Sequence, residues 1–375
     1  MIEAGRKVWQ PKLSSDYIEP DLGPDLLDGM ELIFKMHGKS LRKETKSLEI
    51  RTDIIQFDEQ LHTEEMESNL RWHNCPKTWR PHVKNIIKRF WDVFCQDGMR
   101  RNIRGFMFRL DTGDTKPIKY REPRYGPNEA KVITELINKL EDNGLIEDAE
   151  GPWGAQVVLA AKPHQENVPW HRYVWRLCVS YRRLNQITRP FAFPIPRCDD
   201  AVNDIGPHAK FKISIDLDAG YWQVKADEEA KPKMAFFVPG GMKTWTVMPM
   251  GILNAHAIFV AMMTKLQMRW DKLASTCSIL QHNRHRYGSK VIVDDVLIYG
   301  ATIPVVLAYF QCILIVLRHH RCTIKLKKCD FLQTEVEFVG VDLREEGNAP
   351  ATSKLAVFKG LPPPDTWSDL RMLIG

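Results

Sequence analysis

At 375 residues, with 44% hydrophobic and 10% aromatic content, the chain is long enough to bury a full core and to form two or three domains. Its eight cysteines include no C-x-x-C pair and no zinc-knuckle spacing, which excludes a disulfide-stapled module and fits the reduced thiols of an intracellular protein, cytoplasmic or nuclear and not secreted. No signal-peptide pattern opens the chain, the longest apolar run (303–317) is shorter than the roughly 18–20 residues of a membrane span, and the net charge of +6 suits an anionic partner.

Residues 1–80 are polar and weakly patterned, with Pro11, Pro20 and Pro24 among acids such as Asp16, Glu19 and Asp21, and are expected to form a poorly ordered leader or linker. Residues 81–126 read as a helix followed by an extended lead-in. Val83, Ile86, Ile87, Phe90, Trp91 and Phe94 recur at helical spacing over 82–95. The lead-in contains Asp111-Thr112-Gly113, the triplet of aspartic proteases, but the charged Asp114 follows it and no other protease element is visible.

A second helix is predicted from Pro127 to near Gly144, with Val132, Ile133, Leu136, Ile137 and Leu140 on one face. Two strand-like segments follow: 151–163, which runs into Lys162, and 175–185, which carries Arg176, Arg182 and Arg183 between β-formers. Cations from two such strands facing one cleft suit a triphosphate. The stretch 193–200 is a rigid connector set by Pro194 and Pro196, and 248–263 reads as a turn feeding a helix, with Gly251 at the turn and Ile258, Met262 and Met263 as core.

The strongest chemical signal lies in VIVDDVLIYG, 291–300, where two adjacent carboxylates, Asp294 and Asp295, interrupt an apolar β-rich run. Such a pair needs a compensating charge, and a hard divalent cation is the usual one. A third acid is available in FKISIDLDAGYWQV, 211–224, where alternation up to Asp216 reads as a half-buried strand ending at a Gly-containing bend. One acid from this strand and two from a hairpin would form a two-metal phosphoryl-transfer site. On these residues alone an Asp-Asp turn between exposed strands remains open. Residues 318–328 hold five Lys or Arg, two His and no acid, as a phosphate-binding or a solvated basic face would. Cys277, His282 and His285 lack a fourth ligand for a metal site.

Taken in order, these segments resemble the reverse transcriptase of gypsy-type long-terminal-repeat retrotransposons. That family carries WRxCVDYRxLN, a YPLPRID-like connector, LDLxxGYxQ, MPFGLxNAPxxFQ, a YxDD hairpin and KCxFxxxxVxFLG. Here the sequence has WRLCVSYRRLN, FPIPRCDD, IDLDAGYWQV, MPMGILNAHAIFV, VIVDD and KKCDFLQTEVEFVG. The resemblance covers roughly residues 100–375 and implies an α+β right-hand polymerase: fingers and a palm of antiparallel sheet packed on helices over 127–340, and a truncated start of a thumb over 341–375. It implies a fragment of a Pol polyprotein that acts as an RNA-directed DNA polymerase, with two Mg²⁺ (Mn²⁺ as a substitute), an RNA or DNA template with its primer, and deoxynucleoside triphosphates. Position by position, Asp216, Asp294 and Asp295 are similar to the metal-binding catalytic acids, and Lys162 and Arg176 to the cations on the triphosphate. Tyr221 is similar to the aromatic under the nucleotide sugar, and Met250, Gly251 and Asn254 to the segment lining the nucleotide pocket. Phe338, Val339 and Gly340 resemble the hairpin that grips the primer end, with Lys327 and Lys328 nearby. The sequence departs from the family at Ser180 (Asp), His256 (Pro), Val260 (Gln) and Ile292 (Tyr), none of them a metal ligand. An inactive remnant that only binds nucleic acid is the alternative.

Overall fold

The computed structural model describes residues 59–94, 102–161, 174–205, 209–344, 347–351, 366–368 and 371. Within the segment expected to be a leader, helix α1 (Glu59–Asn69) is ordered. Among the described side chains, His62 and Met66 on this helix and Leu70 just after it are buried at four-residue spacing. Helix α2 (Arg80–Arg89) buries Val83, Ile86 and Ile87. The single helix read over 82–95 breaks at Phe90, whose φ is −107°, and continues as a 3₁₀ turn over Trp91–Val93. Asp92 in that turn is held by Arg318 from the far side of the core.

In the lead-in, β1 (Met107–Phe108) pairs in parallel with a later short strand. Asp111 accepts the Gly113 N–H at 2.8 Å and the Arg189 guanidinium at 3.2 Å, so its carboxylate is engaged in an Asx turn and a tether. Helix α3 (Pro127–Asp142) starts and ends as the sequence predicts, with the Gly126 N–H donating to the Glu129 carboxylate at 3.1 Å. After β2 (Ile146–Asp148), β3 (Gln156–Ala161) and β4 (Trp175–Ser180) form an antiparallel hairpin from Gln156 opposite Ser180 to Ala161 opposite Trp175. Arg182 and Arg183, expected on the strand, lie instead on the short helix α4 (Arg182–Ile187), where Arg183 sits over the Tyr120 ring. The connector runs into α5 (Cys198–Asn203).

The central sheet has the order β11 (Asp330–Gln333), β5 (Phe211–Asp216), β10 (Asp295–Gly300), β9 (Tyr287–Ile292), all antiparallel. Between β5 and β9 the chain builds β6 (Lys225–Ala226), partner of β1, and a second sheet in which β7 (Phe236–Val238) and β8 (Gly241–Trp245) extend β2. Helices α6 (Ala255–Ala274), α7 (Ser278–Gln281) and α8 (Ile303–His319) complete the core. Ile258 packs partly buried against that core, while Met262 and Met263 are buried in it. The apolar run at 303–317 is buried throughout α8, and among the described residues no helix is long and apolar enough to cross a membrane. A buried polar knot ties sheet to helices: Ser289 accepts the Trp270 Nε1–H at 3.1 Å and lies 2.9 Å from the Tyr309 hydroxyl, which donates to Asp271. Finally β12 (Val336–Phe338), β13 (Val341–Arg344) and β14 (Gly347–Pro350) form a three-stranded antiparallel sheet.

Candidate active site

Strand pairing brings the three predicted acids together at one end of the central sheet. In the β5/β10 ladder Asp216 stands directly opposite Asp295, and Asp295 also pairs with Ile292 across the β9/β10 hairpin. Only Val293 and Asp294 remain to make the turn, and Asp294 accepts a bond from the Leu217 N–H through its carbonyl at 3.4 Å. Val293 has φ +59°, a left-handed conformation that a β-branched residue rarely adopts. The tight loop therefore fixes the adjacent carboxylates at a backbone cost.

Their electrostatics are those of crowded anions. Burial pushes the Asp295 carboxyl up to about 6, reinforced by the charges of Asp294 and Asp216. Burial also raises Asp294, again helped by Asp216. Among the described residues the cation bonded to this group is Lys328, whose Nζ donates to Asp216 Oδ2 at 2.8 Å and is itself raised, chiefly by that bond. No three acidic, histidine or cysteine side chains converge at metal-ligand geometry among the described residues. The donor set still fits hard divalent cations: it is all carboxylate oxygen, it repels itself, and a lysine already occupies one member.

A second acid near the bend has a different task. Asp218 is buried and accepts Lys325 Nζ at 3.1 Å. Gln223 donates to the Asp218 and Thr323 carbonyls at 2.8 and 2.9 Å and accepts the Thr323 N–H at 2.8 Å. Together with the Lys325 N–H donating to the Asp216 carbonyl at 3.0 Å, these bonds pin the end of β5. Composition left 318–328 as either a phosphate-binding or a solvated basic face; Arg318, Lys325 and Lys328 pair with acids and His320 is buried, while Arg321 and Lys327 stay exposed. The other basic stretch, Arg284–Arg286, lies at the far end of the β9/β10 hairpin, where Tyr287 pairs with Gly300.

The pocket residues divide in the same way. Tyr221 lies on a 3₁₀ turn after the bend, with its ring stacked on Phe259 at 5.0 Å and 8° and its hydroxyl 3.1 Å from His256 Nδ1. Met250 is 61% exposed beside Gly251. Asn254 bonds backbone with its amide, donating to the Arg189 carbonyl and accepting the Phe191 N–H, both at 2.8 Å. Arg176 is exposed on β4 opposite Ala160; Lys162 lies outside the described residues. Phe338 is buried against Ile292, Leu297 and Leu343. Val339 and Gly340, at φ +47° and +78°, make the two-residue turn of the β12/β13 hairpin. That hairpin is thus wedged beneath the strands that carry the acids. Sequence reasoning assigned no role to Gln223, Lys325 or His256, although Gln223 is the final Gln of the LDLxxGYxQ match, Lys325 belongs to the basic run at 318–328, and His256 is a departure from the resembled motif.

Residues 166–343 match the family model described as "Reverse transcriptase (RNA-dependent DNA polymerase)". The chain is 25% identical over 295 residues to the "Retrovirus-related Pol polyprotein from transposon 297" of Drosophila melanogaster, covering 78% of this chain and 26% of that protein. It is 26% identical over 259 residues to the "Enzymatic polyprotein" of cauliflower mosaic virus, covering 69% and 35%. The chain therefore spans about a quarter to a third of the length of these relatives. Among solved structures it is similar to a foamy viral protease-reverse transcriptase in complex with double-stranded DNA, with TM-score 0.69, 18% identity, and coverage of 89% of this chain and 54% of that one. The foamy viral protein in complex with an RNA/DNA hybrid gives TM-score 0.67 and 19% identity over 89% and 41%. The fold is that of a right-hand polymerase, with fingers and an antiparallel palm. Over residues 166–343 the chain is similar to the reverse transcriptase domain of retrotransposon Pol polyproteins.

Proposed function

We propose that this chain is the DNA-synthesising part of a gypsy-type long-terminal-repeat Pol polyprotein, extending a primer 3′-hydroxyl on an RNA or DNA template with deoxynucleoside triphosphates. The observation that carries the reading is the Asp216/Asp295 cross-strand pair with Asp294 in the adjoining two-residue turn. Such a set suits two hard divalent ions, Mg²⁺ or Mn²⁺. The chemistry these supply when bound is a lowered pKa for the primer hydroxyl and charge compensation on the leaving pyrophosphate. Asp216 and Asp295 would hold them from the sheet and Asp294 from the turn, in place of the Lys328 contact to Asp216. Arg176, with Lys162, neutralises the triphosphate from the fingers hairpin. Met250 and Gly251 line the nucleotide, the Tyr221 ring leaves no room for a 2′-hydroxyl, and the Phe338-Val339-Gly340 turn supports the primer end beside Lys327.

A second reading, a nucleic-acid binder without turnover, draws on Lys328 already neutralising Asp216. Primer extension on poly-rA/oligo-dT and on a DNA template, across a Mg²⁺ and Mn²⁺ titration, separates the two. We expect divalent-dependent deoxynucleotide incorporation on the RNA template. Template–primer binding without incorporation at any divalent concentration would overturn the polymerase reading in favour of the second.

A further inference from the structure

Position 256 is where this chain has a histidine and the resembled motif has a proline. Asn254, at φ +73°, leads into α6, and His256 is exposed on its first turn. Phe259, one turn further along the same face, is fully buried. Both side chains act on Tyr221: Phe259 backs one face of the ring at 5.0 Å and 8°, and His256 Nδ1 lies 3.1 Å from the hydroxyl. The approach of α6 to this turn depends on Gly220, where a Cβ would stand 2.6 Å from Phe259 Cζ. Burial raises the Tyr221 phenol and the charge of Asp294 raises it further, which places the hydroxyl within electrostatic reach of the catalytic hairpin.

Stacking alone leaves a ring free to slide in its own plane. A hydrogen bond at the tip removes that freedom, and the position of the ring edge is what decides whether a 2′-hydroxyl fits. A proline at 256 has no side-chain donor or acceptor for this task.

We propose that His256 is a specificity-determining positioning residue, which through its Nδ1 bond to the Tyr221 hydroxyl fixes the ring that excludes ribonucleotides. The inference rests on the proposed role of Tyr221 as the sugar gate. Ribonucleotide exclusion in this chain then depends on a two-residue unit that spans the turn after β5 and the first turn of α6.

The test measures kcat/KM for a deoxynucleotide and its ribonucleotide on one primer, for wild type, Tyr221→Val, Tyr221→Phe, His256→Ala and the Tyr221→Phe/His256→Ala double variant. His256 is exposed, so its replacement opens no core cavity. We expect Tyr221→Val to lower the discrimination ratio most. Tyr221→Phe and His256→Ala should each lower it by roughly three- to tenfold, the scale of one side-chain hydrogen bond, and the double variant should go no lower than either. A ratio unchanged in Tyr221→Val rejects the gate itself and the inference with it. A ratio that falls in Tyr221→Val but not in His256→Ala, or losses that multiply in the double variant, overturns the role of His256 while leaving the gate standing. A readout independent of turnover is the ¹⁵Nδ1 resonance of His256: it should shift in Tyr221→Phe, and an unmoved resonance overturns the contact.

Discussion

The basic run at 318–328 ends in two ion pairs that are chemically alike and physically opposite. At one end Arg318 reaches Asp92, 226 residues away, with Nε 3.0 Å from both carboxylate oxygens and Nη2 2.6 Å from Oδ1, its guanidinium over the Phe90 ring at 4.2 Å. The Asp92 side chain is 4% exposed. At the other end Lys328 makes a single 2.8 Å contact to Asp216, with its side chain 52% exposed. A planar fork in a dry setting is a fixed joint; an ammonium on a flexible stem, half in water, is a plug that another cation can displace. Burial and bond count separate architecture from chemistry here, where charge alone does not.

The largest effect should come from the plugged end. Asp294→Asn should lower primer extension by at least about a thousandfold while template–primer affinity, followed by fluorescence anisotropy, stays within a few fold, since a carboxylate holds ions and repels phosphate. Extension retained by the purified variant would remove the acids from the chemistry. At the fixed joint, Arg318→Ala should cost about 3 kcal/mol in urea denaturation by breaking the forked, buried pair with Asp92, whereas Lys328→Ala should cost less than about 1 kcal/mol. Equal losses would dissolve the contrast.

Between the two ends lies His320, whose ring is buried, 3.0 Å from the Arg104 carbonyl through Nδ1 and 2.5 Å from Arg269 through Nε2. Nδ1 donates to the carbonyl, so Nε2 accepts from the guanidinium and the ring is neutral. Burial lowers its pKa from 6.5 to about 4. The unfolded chain therefore binds this proton first, and stability should fall as pH drops from 6.5 towards 4, by on the order of 2–3 kcal/mol. His320→Gln should flatten that part of the stability–pH curve; an unaltered slope would place the acid sensitivity elsewhere. The smallest effect belongs to the exposed lysine. Lys327→Ala should reduce the log–log salt slope of template–primer binding by about 0.7–0.9, one phosphate, and Arg318→Lys should leave the slope unchanged.

Local patterns disclosed the parts of this molecule that depend on local chemistry. Alternation up to Asp216 and the interrupted apolar run at 291–300 located both strands of the site, and their pairing needed only the rule that two carboxylates must share a compensating charge. The Pro127 helix was equally plain. Partner choice was not legible: the Arg318–Asp92 and Lys325–Asp218 pairs join residues more than a hundred positions apart, so a run that pairs inward has the same spelling as one that faces phosphate. Helix α1 escaped notice because its sequence is polar and its His62 ring packs against Trp91, a partner about thirty positions away that no local pattern names. The motif placed Asn254 in the pocket lining but could not show that its amide also ties the Arg189 carbonyl and the Phe191 N–H.

The left-handed Val293 has an outcome for anyone evolving this chain in the laboratory. A strained turn residue holds on the order of 1–3 kcal/mol that glycine or asparagine would release. Selection for heat resistance would therefore reward replacements at 293, and selection for incorporation rate would reward keeping the stiff β-branched residue that aims the neighbouring carboxylates. The two screens would pull one codon in opposite directions, and the residue recovered from each would report which property the turn was shaped to serve.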